Sequence, residues 1–183
     1  LGLHRGVALS KRSSAMKAKS PCARPSRLVL GQGARGAARD KVAAMTVRNL
    51  DALFHPTAIA LIGASNRPGS VGQVLARNLL ESGLKGPVMP VNPHEAAVGS
   101  ALAYDSVAHL PSPPDLAVIA TPAPGVPGLI AELGEKGCRA AVVISAGFEG
   151  AEGAALRQAA LDAARPHLLR IVGPNCLVVL CPA

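Results

Sequence analysis

The chain has 183 residues, 49% of them hydrophobic, with a formal net charge of +8 and no Trp. That length fits one ordinary domain plus an extension, and no apolar run approaches the roughly 18 residues that a membrane-spanning helix needs. The basicity is uneven: residues 1–44 hold ten Lys/Arg against one acid, Asp40, and residues 45–183 hold nine against ten, which excludes nucleic-acid binding as a property of the domain.

The first 44 residues, with "KRSSAMKAKSPCARPSRLVLGQGARGAARDK" at their centre, show no sustained apolar period. Such a stretch buries too little to offset its ordering entropy, so the sequence predicts a disordered basic extension. Three readings fit it: an organelle transit peptide, being Arg- and Ser-rich and acid-poor; a tail that binds polyanions; or a segment outside the working protein, whose synthesis would begin at Met45 in "MTVRNLDALFHP". Cys22, Cys138, Cys176 and Cys181 form no CxxC pair and no metal-ligand spacing with His. Reduced thiols in a cytoplasmic protein, with no metal, are the plain expectation.

Residues 45–183 read as a single domain. Apolar runs recur as "AIALI" (58–62), "VMPV" (88–91), "LAVIA" (116–120), "AVVI" (141–144) and "LRIV" (169–172). Their spacing of about 25–30 residues is that of strand–helix–strand units, and continuous rather than alternating apolarity predicts strands covered on both faces. Between them, Val71, Val74, Leu75 and Leu79 fall on one helical face with Gly83 as the stop, and Val126, Leu129, Ile130 and Leu133 on another with Gly137 as the stop. Residues 151–165 form an Ala-rich helix ended by Pro166, and a short helix is expected near Ser106–Leu110. The fold class is therefore α/β: a Rossmann-like open parallel sheet of about five strands with helices on both faces, expected in the strand order 3-2-1-4-5.

Ligands of such sheets sit at the carboxyl ends of the strands. Here those ends read "GASNRPGSVG", "VNPHE", "ATPAPG", "SAGF" and "GPNC", all small, polar or Pro/Gly. The first follows a strand and opens a helix, the context in which a glycine loop gains meaning. Gly63 can take a positive φ, Gly69 and Gly72 allow close backbone approach, and a helix starting near Ser70 or Val71 presents unpaired N–H groups to an anion. The loop lacks the GxxxxGK[ST] of a triphosphate site, since Ser70 follows Gly69. It also departs from the GxGxxG of a nicotinamide dinucleotide site, since Ala64-Ser65 stands at the second glycine. The second strand ends in Asn92-Pro93-His94, with no carboxylate until Glu95. An acid at that place would repel a phosphorylated ribose, whereas Asn92, His94 and Arg67 would accept one. Coenzyme A and NADP both satisfy these residues.

The segments "LDALFHPTAIALIGASNRPGSVGQVLARNLL", "PVNPHEAAVGSALAYDSVAHLPSPPDLAVIATPA", "ELGEKGCRAAVVISAGF" and "RIVGPNCL" resemble the N-terminal coenzyme-A-binding domain of ADP-forming acyl-CoA (acetyl-CoA) synthetases, itself similar to the first domain of the succinyl-CoA synthetase α subunit. The resemblance covers about residues 46–177, and some bacterial relatives carry a fused acetyltransferase domain. It implies that the loop Ser65–Gly72, with Pro68, Gly69, Ser70 and Val71, holds the CoA pyrophosphate. Asn92, Pro93 and His94 would lie near the adenosine and its 3′-phosphate. Pro122-Ala123-Pro124 and Ser145-Ala146-Gly147 would line the pantetheine path, and Gly173-Pro174-Asn175-Cys176 would close the floor near the thiol. Relatives commonly have Lys at the place of His94, and their Gly after "GPNCL" is Val178 here.

In that family the chemistry runs through a phosphohistidine in a second domain and a separate ATP-grasp module, which also bind ATP, ADP and Mg. None of His4, His55, His94, His109 and His167 lies in that context, so no catalytic residue is expected in this chain. Cys176, without an adjacent His, reads as a small buried residue rather than a nucleophile. The expected protein is the CoA-binding portion of such a synthetase, ending at "VVLCPA" before a second domain and inactive alone. Its expected partners are CoA or acyl-CoA and the remaining synthetase domains or an ATP-grasp subunit. A stand-alone CoA-binding regulatory module and an NADP-dependent oxidoreductase fragment are the alternatives.

Overall fold

The computed structural model describes residues 48–176; the readings of residues 1–44 and of the run after Cys176 lie outside them. The five apolar runs form five parallel strands, β1 (Ile59–Ile62), β2 (Val88–Val91), β5 (Leu116–Ile119), β6 (Ala140–Val143) and β7 (Arg170–Val172). Two short strands, β3 (Ala97–Val98) and β4 (Ala101–Leu102), make a separate antiparallel hairpin. The helices are α1 (Leu50–Phe54), α2 (Val71–Glu81), α3 (Val126–Glu135) and α4 (Gly150–Ala164). One-turn 3₁₀ segments lie at Ala123–Gly125 and Arg165–His167, the second built around Pro166.

β1 and β5 are buried at every residue, and their side chains divide by strand alternation. Ala60, Ile62, Ala117 and Ile119 pack with Val126, Ile130 and Leu133 of α3 and Ala164 of α4. Ile59, Leu61, Leu116 and Val118 pack with Ala76 of α2, Ala52 and Leu53 of α1 and Val98 of the hairpin. Both faces are therefore covered, which explains why the strands read as continuous apolar runs.

The strand order corrects the expectation. The sheet runs β2-β1-β5-β6-β7, which is 2-1-3-4-5 when only its five strands are numbered, the other common doubly wound order. The connection between β2 and β5 differs from expectation as well. No helix forms there, and the stretch expected as a helix near Ser106–Leu110 is a turn, closed by the Leu110 N–H on the Val107 carbonyl at 3.2 Å. Pro111, Pro113 and Pro114 follow at once, and proline both blocks helix propagation and biases its predecessor away from it. Val107 and Leu110 join the cluster of Met89 and Val91, covering the face that a crossover helix would otherwise cover.

α2 meets its expected face in part: Leu75 and Leu79 pack against the core cluster on that side of the sheet. Val71 and Val74, read as core, are 58% and 40% exposed, while Gly72 and Ala76 face the sheet. Helix and strand meet closely: a Cβ on Gly72 would overlap the Gly63 carbonyl oxygen. Gly72 and Ala76 make the close contact, and Leu75 and Leu79 pack beside them.

At the amino ends of the strands a polar clamp joins three segments. Asp115 accepts from the Thr57 N–H at 2.8 Å and from its hydroxyl, and pairs with the Arg139 guanidinium. Burial by itself would raise the Asp115 carboxyl, but the Thr57 hydroxyl and N–H and the Arg139 charge more than offset it and hold it at about 2. A carboxyl depressed by folding stabilises above its unfolded value and loses that contribution as pH falls through its folded value. Stability measured by denaturant unfolding is expected to fall by about 1–2 kcal/mol between pH 5 and pH 2 on account of this group. Asp115→Asn should be less stable at pH 6 and should lack that part of the acid dependence; an unchanged acid profile would remove the clamp from the account. Gly72→Ala should cost about 2 kcal/mol or more in the same assay, because backbone must move to admit the methyl group.

Candidate functional site

In an open doubly wound sheet the crevice opens where the strand order reverses, at the carboxyl ends. Here that place is between β1 and β5: α2 leaves β1 toward one face and α3 follows β5 on the other. A row of contacts crosses the top of the sheet and brings the candidate residues together. Asn92 Nδ2 donates to the Ala64 carbonyl at 2.7 Å. A Cβ on Gly63, whose φ is +86°, would lie 2.8 Å from the Ala120 carbonyl oxygen. Ser145 Oγ donates to the Thr121 carbonyl, and the Ser145 carbonyl accepts from the Asn175 N–H at 3.1 Å. Ala123 and Gly147 adjoin each other in the same row.

The β1–α2 turn is shaped by its own short side chains. Ser65 Oγ accepts from the Arg67 N–H at 3.0 Å, and Ser70 Oγ donates to the Arg67 carbonyl at 2.7 Å. Ser70 is the N-cap of α2, extended in backbone, and its oxygen accepts from the Gln73 N–H at 3.2 Å. Gln73 in turn accepts the Gly69 N–H at 3.0 Å, a variant of the capping box. The cap leaves the N–H groups of Val71 and Gly72 without an acceptor among the described residues. Helix-terminal donors in that state form an anion site, and the helix dipole adds roughly 0.3–1 kcal/mol of attraction for a negative charge. Pro68 and Gly69 are exposed, and Gly69, at φ +74°, has nothing within 4 Å of the place a Cβ would take. Gly69 thus leaves open space beside the turn, whereas Gly72 has no room for a side chain because it seats the helix on β1.

Asn92, His94 and Pro93 stand at the end of β2. Asn92 Oδ1 accepts the His94 N–H at 2.8 Å, so with both ends engaged Asn92 joins two turns. His94 and Pro93 are exposed, as are Pro122, Ala146, Gly147 and Asn175, while Ser145 and Ala64 are buried. Cys176 is half-buried against the α1–α2 side of the sheet. Cys138 lies at the far end of β6, and its burial pushes the thiol up to about 11, so it is inert at neutral pH. On the turn after β4, His109 bonds Asp105 and holds that carboxyl below its usual range. Ser106 and Asp105 meet the same ring nitrogen, Nδ1, so the trio is no proton relay. Among the described residues no group of three or more His, Cys, Asp or Glu could hold a metal ion.

Thr121, Asn66 and Gln73 at this end were not singled out from the sequence, whereas Gly173 was expected in the floor and Glu95 only as the first acid after the second strand. Thr121 has a buried hydroxyl with no partner among the described residues, and Gly173, at φ +102°, would drive a Cβ into the Val143 carbonyl oxygen. Asn66 and Glu95 bond each other across 29 residues. Nothing local marks that pair, because only the sheet brings the two turns together. Gln73, a helix residue by its spacing, became part of the site only through its bond to Gly69.

A family model described as a CoA binding domain matches residues 57–182. The acetate–CoA ligase [ADP-forming] II of Archaeoglobus fulgidus is 39% identical over 137 residues, which are 74% of this chain and 20% of that protein. The acetate–CoA ligase [ADP-forming] I subunit alpha of Pyrococcus furiosus is 39% identical over 142 residues, covering 74% of this chain and 31% of the subunit. Among solved structures, PH0766 from Pyrococcus horikoshii superposes with a TM-score of 0.67 at 41% identity, over 70% of this chain and 30% of that one. The apo form of a dinucleotide-forming acetyl-coenzyme A synthetase 1 from Ca. Korarchaeum cryptofilum gives 0.64 at 38%, over 69% and 28%. The chain thus spans between a fifth and a third of the relatives it matches. These matches disfavour the NADP reading, and the chain belongs to the CoA binding domain family, matching the part of that family found in ADP-forming acyl-CoA synthetases.

Proposed function

We propose that the domain grips coenzyme A by its pyrophosphate over the turn joining β1 to α2. The adenosine and its 3′-phosphate lie toward Asn92, Pro93 and His94, and the pantetheine arm passes Pro122 and Ser145–Gly147 toward Asn175. The observation that carries this reading is the capped start of α2, with the Val71 and Gly72 N–H groups open at the point where the strand order reverses. A diphosphate supplies the acceptors those donors lack, and main-chain amides hold it in fixed geometry. The open space beside Gly69 admits the phosphates, and the small side chains at the other strand ends leave a path for a thin, flexible arm.

The role is to hold and present the carrier. Among the described residues the crevice contains no nucleophile paired with a base, and His94 donates only its backbone N–H in the structure. In a reaction like that of the relatives, the domain would deliver the thiol of CoA, while acyl and nucleotide chemistry would belong to regions outside the matched segment.

Calorimetry on the 183-residue chain tests the reading: CoA should bind more tightly than NADP and NAD, and tighter NADP binding would overturn it. Gly69→Ala should lower CoA affinity about tenfold by filling the phosphate space, while costing about 1–2 kcal/mol of stability through its left-handed backbone. Ser70→Ala should cost about 1 kcal/mol of stability through the lost cap and weaken CoA binding severalfold; retention of full affinity in both variants would place the diphosphate elsewhere.

A further inference from the structure

Glu95 is the acid nearest the end of β2. In doubly wound folds an acid in this region hydrogen-bonds a bare ribose, and its charge disfavours a phosphorylated one. Coenzyme A carries a phosphate on that ribose, so a freely swinging Glu95 would oppose the ligand. The structure shows the carboxylate held. Oε1 accepts the Asn66 backbone N–H at 3.2 Å, and Oε2 accepts the Asn66 side-chain amide. Asn66 is itself fixed from the other side: its amide also donates to the Ala97 carbonyl at 2.8 Å, and its Oδ1 accepts the Gly99 N–H at 3.0 Å. Among the described residues Glu95 makes no ion pair, so Asn66 is what restrains it.

We infer that Asn66 sets the domain's preference for a phosphorylated ribose, by fixing the Glu95 carboxylate at the β1–α2 turn so that it does not swing toward the ribose phosphate. Asn66 is a positioning residue and Glu95 the charge it positions. Two N–H donors to one carboxylate also partly neutralise it. The hairpin β3–β4 gains a purpose from this: Ala97 and Gly99 fix the rotamer of Asn66, and through it the direction of Glu95. The inference rests on the reading that the adenosine of CoA lies at the end of β2.

The readout is the ratio of the dissociation constants of dephospho-CoA and CoA, measured by calorimetry on the full chain. The wild-type ratio should exceed one. Asn66→Ala releases Glu95, and the ratio should fall about threefold to tenfold, the effect of one charge moved toward a phosphate at partly screened range. Glu95→Gln should keep the wild-type ratio or raise it. The double variant N66A/E95Q should return the ratio to within about twofold of wild type, a recovery that a merely structural role of Asn66 would not give. Should N66A not melt cooperatively, Asn66→Ser gives the same comparison. A wild-type ratio of one, an unchanged ratio in the Asn66 variants, or a failure of the double variant to recover overturns the inference. Wild-type protein that binds neither ligand overturns instead the CoA site on which it rests.

Discussion

The seating of α2 on the turn that follows β1 is the contact on which the rest depends. Gly63 turns with a positive φ against the Ala120 carbonyl, and Gly72 sits against Gly63 with no room for a side chain. That contact brings the first turn of α2 to the line between β1 and β5, where the strand order reverses. A larger residue would lift the helix, remove Ala76 from the core cluster on that face, and carry the open N–H groups away from the crevice. Packing and ligand site are one constraint here. Gly72 and Ala76 take the closest side of α2, Leu75 and Leu79 pack beside them, and Val71 and Val74 are left exposed.

The two ends of the sheet are built from different chemistry. At the amino ends a charged clamp of Asp115, Thr57 and Arg139 closes the fold, and Asn49 adds bonds to the Arg139 and Leu168 carbonyls at 3.1 and 2.9 Å. At the carboxyl ends the links are short neutral side chains onto backbone: Asn92 to Ala64, Ser145 to Thr121, Ser65 to Arg67. Such links fix the turns without placing a charge where an anionic ligand would lie. Glu95 is the exception, and it is tied by both oxygens. A surface that binds a polyanionic carrier through amides needs this restraint, since an amide donor competes poorly with an unscreened carboxylate nearby.

The family match and the geometry answer different questions. The matched segment covers residues 57–182 and assigns the domain to the CoA binders. In the proposed reading, the capped helix start gives a turn without Lys the means to attract a diphosphate. A helix end offers a fixed half-charge and oriented donors, and both are available without ordering any long side chain.

Much was legible in the sequence. Apolar runs at β1, β2, β5, β6 and β7 marked buried parallel strands, because covering on both faces erases alternation, and the glycine and proline punctuation marked three of the helices. The segments at the strand ends marked the candidate site on which the proposal rests, because ligand approach needs small residues there. What the sequence left open depends on contacts between distant residues. The strand order was not set by the local pattern, since both doubly wound orders suit the same apolar runs, and the seating of α2 turned on Gly72 meeting Gly63 across the turn. Asn66 and Glu95 became partners only when the sheet set β1 beside β2. Local periodicity reports what a segment can bury. Which neighbour it meets, and which polar groups then find each other, is decided by the packing of the whole sheet.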